Sequence, residues 1–205
     1  MVERAAAVER TRERIVAATV NAHRELGIQS TSWDEIACRA GVGVGTVYRH
    51  FRTLGELLPA CGEIVEQTMA LPAPAEIPRV FQGARSVRAR IERLVQLVFT
   101  IYERAGRHIQ NIRDERDQIA ELEPWHQMIE NSLAALLDEA LQPLAPDRQQ
   151  KETARALIDL ATWQAFQQRD LSNEETVETV ARLIDSEVRP TRAARRQGSA
   201  PSTER

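Results

Sequence analysis

Apolar side chains recur along the chain at helical spacing, and no stretch alternates apolar and polar positions long enough to make a sheet. Ile15, Ala18, Thr19, Ala22 and Leu26 form one stripe on a helix predicted over 9–26, which Gly27 stops; residues 1–8 are expected to fray. Ser32 caps a short helix, with Glu35 placed to reach back as the second half of a capping box. Ile36, Ala37 and Ala40 are its apolar face, and Gly41 ends it, because glycine takes the left-handed conformation without steric cost. Gly43 is an acceptable N-cap for a second short helix that reaches His50, with Val47 and Phe51 turned inward.

Thr53 and Glu56 predict another capping box, opening a helix whose inner face carries Leu57, Cys61, Ile64, Val65 and Thr68, with Pro59 as a bend. The Pro-rich stretch 71–78 predicts a loop or boundary. From Ser86 a long helix is expected to about Arg104, with an apolar stripe through Val87, Ile91, Leu94, Val98 and Ile101 that Leu97 and Phe99 widen. Gly106 is expected to break it, leaving a shorter helix and a loop over 108–120. Pro124 starts the next helix, which ends near Pro143. Asp147 caps a helix to Arg169, and Ser172 with Glu175 caps a last one that Pro190 ends. The expectation is an all-α chain of about nine helices. It divides into an N-terminal helix-turn-helix domain over 9–53, a regulatory and dimerisation domain over 54–190 and a disordered tail over 191–205.

Charge changes that picture only locally. The chain carries a net charge of −3, which argues against a protein that coats nucleic acid generally. Through Gly55, however, eight arginines face six carboxylates, so this end is the positive one. Cys38 and Cys61 have no metal-ligand or redox spacing and predict buried or half-buried thiols in a reducing compartment. No signal segment and no long apolar run appears, so the protein is expected to be cytoplasmic, with no membrane partner. No phosphate-binding glycine loop, no paired metal-ligand spacing and no catalytic carboxylate pair is present, so neither a cofactor nor an enzymatic activity is expected.

Two short helices joined by a glycine turn make a helix-turn-helix, whose second helix lies in the DNA major groove. Its outward positions suit that task. Val44 and Gly45 are small enough for close approach to bases, while Thr46, Tyr48, Arg49 and His50 carry groups that bond phosphates. The run Ile36-Ala37, Ala40-Gly41-Val42, Gly45-Thr46-Val47-Tyr48 and His50-Phe51 closely resembles the DNA-binding domain of TetR-type transcriptional regulators, over roughly Glu9 to Leu58. Gly43 stands where that family often has Ser or Thr, and Leu54 where it often has Lys or Arg; neighbouring Arg52 supplies a cation instead. With Thr31, Ser32 and Trp33 at the start of the first short helix, these residues make up the expected DNA-binding set.

The resemblance implies a homodimer on double-stranded operator DNA, most simply a repressor, released when a small-molecule effector enters the C-terminal domain and shifts the dimer between two shapes. The wide apolar stripes over 154–166 and 177–188 predict dimerisation through residues 147–188 as a four-helix bundle. Aromatics are few, yet Phe99, Tyr102, Trp125, Trp163 and Phe166 fall in three C-terminal helices, with Met128 one turn after Trp125. Singly each is an ordinary core residue; as a set they predict an apolar pocket for a flat or elongated apolar or aromatic effector. Two alternatives remain. One is a small helical enzyme or ligand carrier whose helix-turn-helix is only structural; the other is a regulator governed by a protein partner rather than a ligand.

Overall fold

The computed structural model describes residues 2–169 and 171–189; the expected tail over 191–205 lies outside them. The described residues form ten α-helices and two 3₁₀ turns, with no strand. The helices are α1 Val2–Leu26, α2 Trp33–Ala40, α3 Val44–His50, α4 Leu54–Met69, α5 Ile77–Val80, α6 Val87–Glu115, α7 Glu123–Leu141, α8 Arg148–Leu157, α9 Leu160–Gln167 and α10 Asn173–Val188. Their contacts divide the described residues into two compact units, one over 2–72 and 100–132, the other over 73–99 and 133–189. Helices α6 and α7 each contribute to both.

In the first unit α1 packs on α2 and α4, and α2 on α3. The α1 stripe is fully buried at Ile15, Thr19 and Ala22, and His23 joins it, whereas Leu26, expected inside, is 46% exposed. Residues 2–8 are helical rather than frayed, in keeping with the helix-forming run Ala5-Ala6-Ala7 and its Arg and Glu neighbours. Gly27 sits at φ 92, and a Cβ there would lie 2.8 Å from Glu115 Oε1. That approach has a purpose. The Glu115 carboxylate accepts hydrogen bonds from the backbone N–H groups of Ile28 (2.9 Å) and Gln29 (2.6 Å), and Asn111 Nδ2 donates to His23 O at 2.6 Å. The end of α6 thus fixes the segment that leads into the helix-turn-helix.

Helix α6 corrects two expectations at once. It runs 29 residues, straight through Gly106, and absorbs most of the predicted loop. A mid-helix glycine costs about 1 kcal/mol relative to Ala. Burial of Ala105, His108, Ile109 and Ile112, which continue the stripe of Ile101 and Tyr102, outweighs it.

In the second unit α8 packs on α10. The single helix expected over 147–169 is instead two. Asp159 takes extended backbone angles and accepts a hydrogen bond from Ala161 N, so it caps a new helix in the middle of the apolar pattern. Asp147–Gln150 and Ser172–Glu175 form the two complete capping boxes. The Pro-rich stretch holds the single turn α5 at its end. Arg90 lies over the Phe81 ring at 4.9 Å and donates to the carbonyls of Glu139 and Ala140, satisfying the last turn of α7.

Candidate nucleic-acid interface

Local chemistry sets the geometry of α2 and α3. Ser32 Oγ accepts from Glu35 N at 3.1 Å, so the first half of the expected capping box is present. Glu35 spends its carboxylate on Arg39 (2.6 Å), which also reaches Glu25 of α1 at 2.7 Å. At the other end of α2, Gly41 is left-handed (φ 62), and its N–H and that of Val42 return to the carbonyls of Cys38 and Ala37. Arg14 donates to the carbonyls of Ala40 and Gly41 and ties this turn to α1. Gly43 caps α3 with its backbone alone. Thr53 Oγ1 accepts from Glu56 N, but Glu56 reaches back one residue further than expected, to Arg52 N at 2.7 Å.

Val47 is fully buried and Phe51 nearly so, with the Arg12 guanidinium 5.2 Å over the Phe51 ring. The other faces of α3 are free. Val44, Gly45, Tyr48 and Arg49 are exposed, and Thr46 and His50 half-buried. Tyr48 lies against Trp33 of α2, ring centroids 5.1 Å apart, so the two helices present one continuous edge. Arg49 donates to Thr46 Oγ1 at 2.8 Å. Ser32 and Arg52 are exposed at the two ends of this edge. Thr31 is half-buried, and its hydroxyl already donates to Gly27 O. A short helix with small residues at its start and phenol, guanidinium and imidazole groups along its open side fits a major groove flanked by phosphates.

The six effector-pocket candidates are drawn from both units. Phe99, Trp163 and Phe166 belong to the second unit, and Tyr102, Trp125 and Met128 to the first. Phe99 and Tyr102 are buried in the core, and the other four are half-buried. Of the six, Trp125 lines a cavity of about 40 Å³ in the first unit, together with His23, Cys61, His108 and Asn111. A wider cavity of about 230 Å³ beside it runs past Thr31, Trp33 and Gln118. His23 and Ile28 form part of both walls. Cys61 is buried, whereas Cys38, expected inside or half inside, is exposed.

Burial, with His108 close by, pushes the His23 imidazole down to about 4. Burial and then the charge of Arg24 push His108 down as well, and burial pushes the Cys61 thiol up to about 12. Both cavities are therefore lined by uncharged groups at neutral pH. The sequence carries a faint signal for this: His23 follows Thr19 by four positions and Ala22 by one, at the edge of the core-facing stripe. The histidine has a consequence for stability. The unfolded chain takes a proton on His23 near pH 6.5, the folded chain only near 4. Stability should therefore fall as pH drops through that window, by about 3 kcal/mol in all. Urea unfolding at pH 7 and pH 4.5 measures it. His23→Leu should flatten the difference, and an equal loss in both proteins would show that another group is responsible.

The bracing helix α1, the glycine turn and the open second helix define a helix-turn-helix DNA-binding domain. Residues 15–61 match the family model described as "Bacterial regulatory proteins, tetR family", so the chain carries a TetR-type domain, and it has the all-helical fold of TetR-type regulators. A transcriptional regulator from Rhodococcus sp. Rha1 is similar at 20% identity, covering 86% of this chain and 93% of that one, with a TM-score of 0.61. A TetR transcription regulator from Haloarcula marismortui is similar at 16% identity, over 88% and 97%, with a TM-score of 0.59. The multidrug binding protein EbrR, in complex with imidazole, is similar at 18% identity, over 90% and 97%, with a TM-score of 0.55. Curated proteins give no match. No described helix is long and apolar enough to cross a membrane, and no described group of His, Cys, Asp and Glu is arranged to hold a metal ion.

Proposed function

We propose that the chain is a sequence-specific DNA-binding repressor that acts in the cytoplasm as a homodimer and leaves its operator when a small apolar or aromatic effector binds. The open edge formed by Trp33, Tyr48 and the exposed side of α3 carries this reading. Thr46, Tyr48, Arg49, His50 and Arg52 hold phosphates; Val44 and Gly45 approach the bases; Thr31, Ser32 and Trp33 set the entry of α2. The dimer forms through residues 147–188, where Leu183 is exposed and Leu157, Trp163 and Phe166 are half-buried, so that α8–α10 keep apolar surface beyond their own packing. Two recognition helices related by that axis would meet half-sites about 34–36 Å apart, or a multiple of that. The likeness to a multidrug binding protein supports the effector part, with Trp125 as its first contact.

The test is anisotropy of a labelled duplex taken from the region upstream of the chain's own gene, titrated at several salt concentrations. Affinity should fall steeply with salt, because phosphate neutralisation releases counterions, a dependence that a ligand carrier or enzyme does not need. Tyr48→Phe should weaken binding by about 1 kcal/mol across many sequences, the scale of one hydrogen bond to phosphate. Salt-independent binding, or full affinity in Tyr48→Ala, would exclude the docking described.

A further inference from the structure

The two cavities behind the helix-turn-helix have a shape and chemistry of their own. Neither wall contains an Asp, Glu, Lys or Arg. Glu115 stands close by, but its oxygens are bonded to the N–H groups of Ile28 and Gln29. His23 is only 4% exposed, and its Nε2 has no hydrogen-bond partner among the described residues. A buried nitrogen without a partner is costly unless something occupies the space before it. The space is there: the wider cavity holds about 230 Å³, against about 150 Å³ that suffices for benzene in an apolar cavity.

We propose that this paired cavity, meeting at His23 and Ile28, is a binding site for a small neutral aromatic alcohol, whose hydroxyl bonds His23 Nε2 while its ring lies in the wider cavity beside Trp33. Each part of that class follows from the walls. An ion has no countercharge there and would lose its hydration. A purely apolar ring leaves Nε2 unsatisfied. A hydroxyl both donates and accepts, so it satisfies either tautomer of a neutral imidazole. The indole of Trp33 offers a flat wall for stacking. Helix α6 borders the smaller cavity through Asn111, and Asn111 and Glu115 bond the backbone that leads to α2. The ligand would therefore sit one side chain from Tyr48, through Trp33. Its effect on DNA affinity rests on the function proposed above; its binding does not.

The experiment uses the full chain without DNA, with phenol, toluene and benzoate as probes, followed by calorimetry and tryptophan fluorescence. Phenol should bind saturably, toluene about tenfold more weakly for want of one hydrogen bond, and benzoate not at all. In His23→Leu phenol and toluene should bind alike. Should that variant not fold, Gln118→Trp, at an exposed position on the wall of the wider cavity, decides instead by filling the space: phenol binding should be lost. Absence of saturable phenol binding, equal affinity for phenol and toluene in the unaltered protein, or unchanged phenol affinity in Gln118→Trp would each overturn the site. Adding the upstream duplex afterwards keeps the two ideas apart, since a phenol-binding protein that never binds DNA supports the site and refutes only the regulator.

Discussion

Gly45→Glu should abolish duplex binding while leaving the melting temperature unchanged or slightly raised. A Cβ built on Gly45 meets no atom within 4 Å, so a side chain there points into open space and disturbs no packing. Gly45 is the second residue of α3, where a carboxylate interacts favourably with the helix dipole. Loss of a helical glycine adds a further gain, on the order of 0.5–1 kcal/mol. Stability therefore moves in the favourable direction. The same carboxylate, on the face read as entering the groove, would meet phosphates at close range. Like charges brought together across an interface cost several kcal/mol, so affinity should drop by at least about a hundredfold. Anisotropy with the upstream duplex and a thermal melt of the same preparation measure the two halves. An unchanged duplex affinity in a folded Gly45→Glu protein would mean that α3 faces away from DNA.

How far the sequence was readable depended on the range of the interaction that decides each element. Caps are settled within a few residues, and they were legible: Ser32, Thr53, Asp147 and Ser172 all accept from the backbone N–H three residues on. The glycine turn at Gly41 is local in the same way. Gly106 misled because its local cost was visible and the burial of Ile109 and Ile112 that outweighs it was not. The break in the helix expected over 147–169 was not legible for the opposite reason: Asp159, a capping residue, sits inside an apolar pattern that runs on across it. The outer face of the helix-turn-helix was legible because its residue types and spacing carry the chemistry. The cavities behind it were not, because His23, Ile28, Cys61 and Gln118 are brought together from four separate segments, and no single periodic pattern contains them.

The same distinction governs the largest effect on stability. Ile184→Glu should destabilise the fold itself rather than only separate a dimer. Ile184 has no exposed surface, and Val180, Ala181 and Val188 beside it are equally enclosed by the chain's own packing. A carboxylate there loses its hydration and gains no partner, a change that costs about 3–5 kcal/mol for a buried charge left uncompensated. For a chain of this length that lowers the melting temperature by roughly 10 °C or more. Leu183, the residue before it, is 37% exposed, on a different face of α10. Leu183→Glu should leave the melting temperature of the isolated chain within about 2 °C, as surface substitutions do. If the dimer uses the outer face of α10, it should nevertheless halve the mass seen by light scattering at micromolar concentration. It should weaken duplex binding in parallel, because a single recognition helix holds one half-site. Trp163→Glu, half-buried on α9, probes the neighbouring part of the same surface. Should both variants keep a dimeric mass, the 147–188 surface is not where two chains meet, and the apolar residues left open on α8–α10 serve another partner.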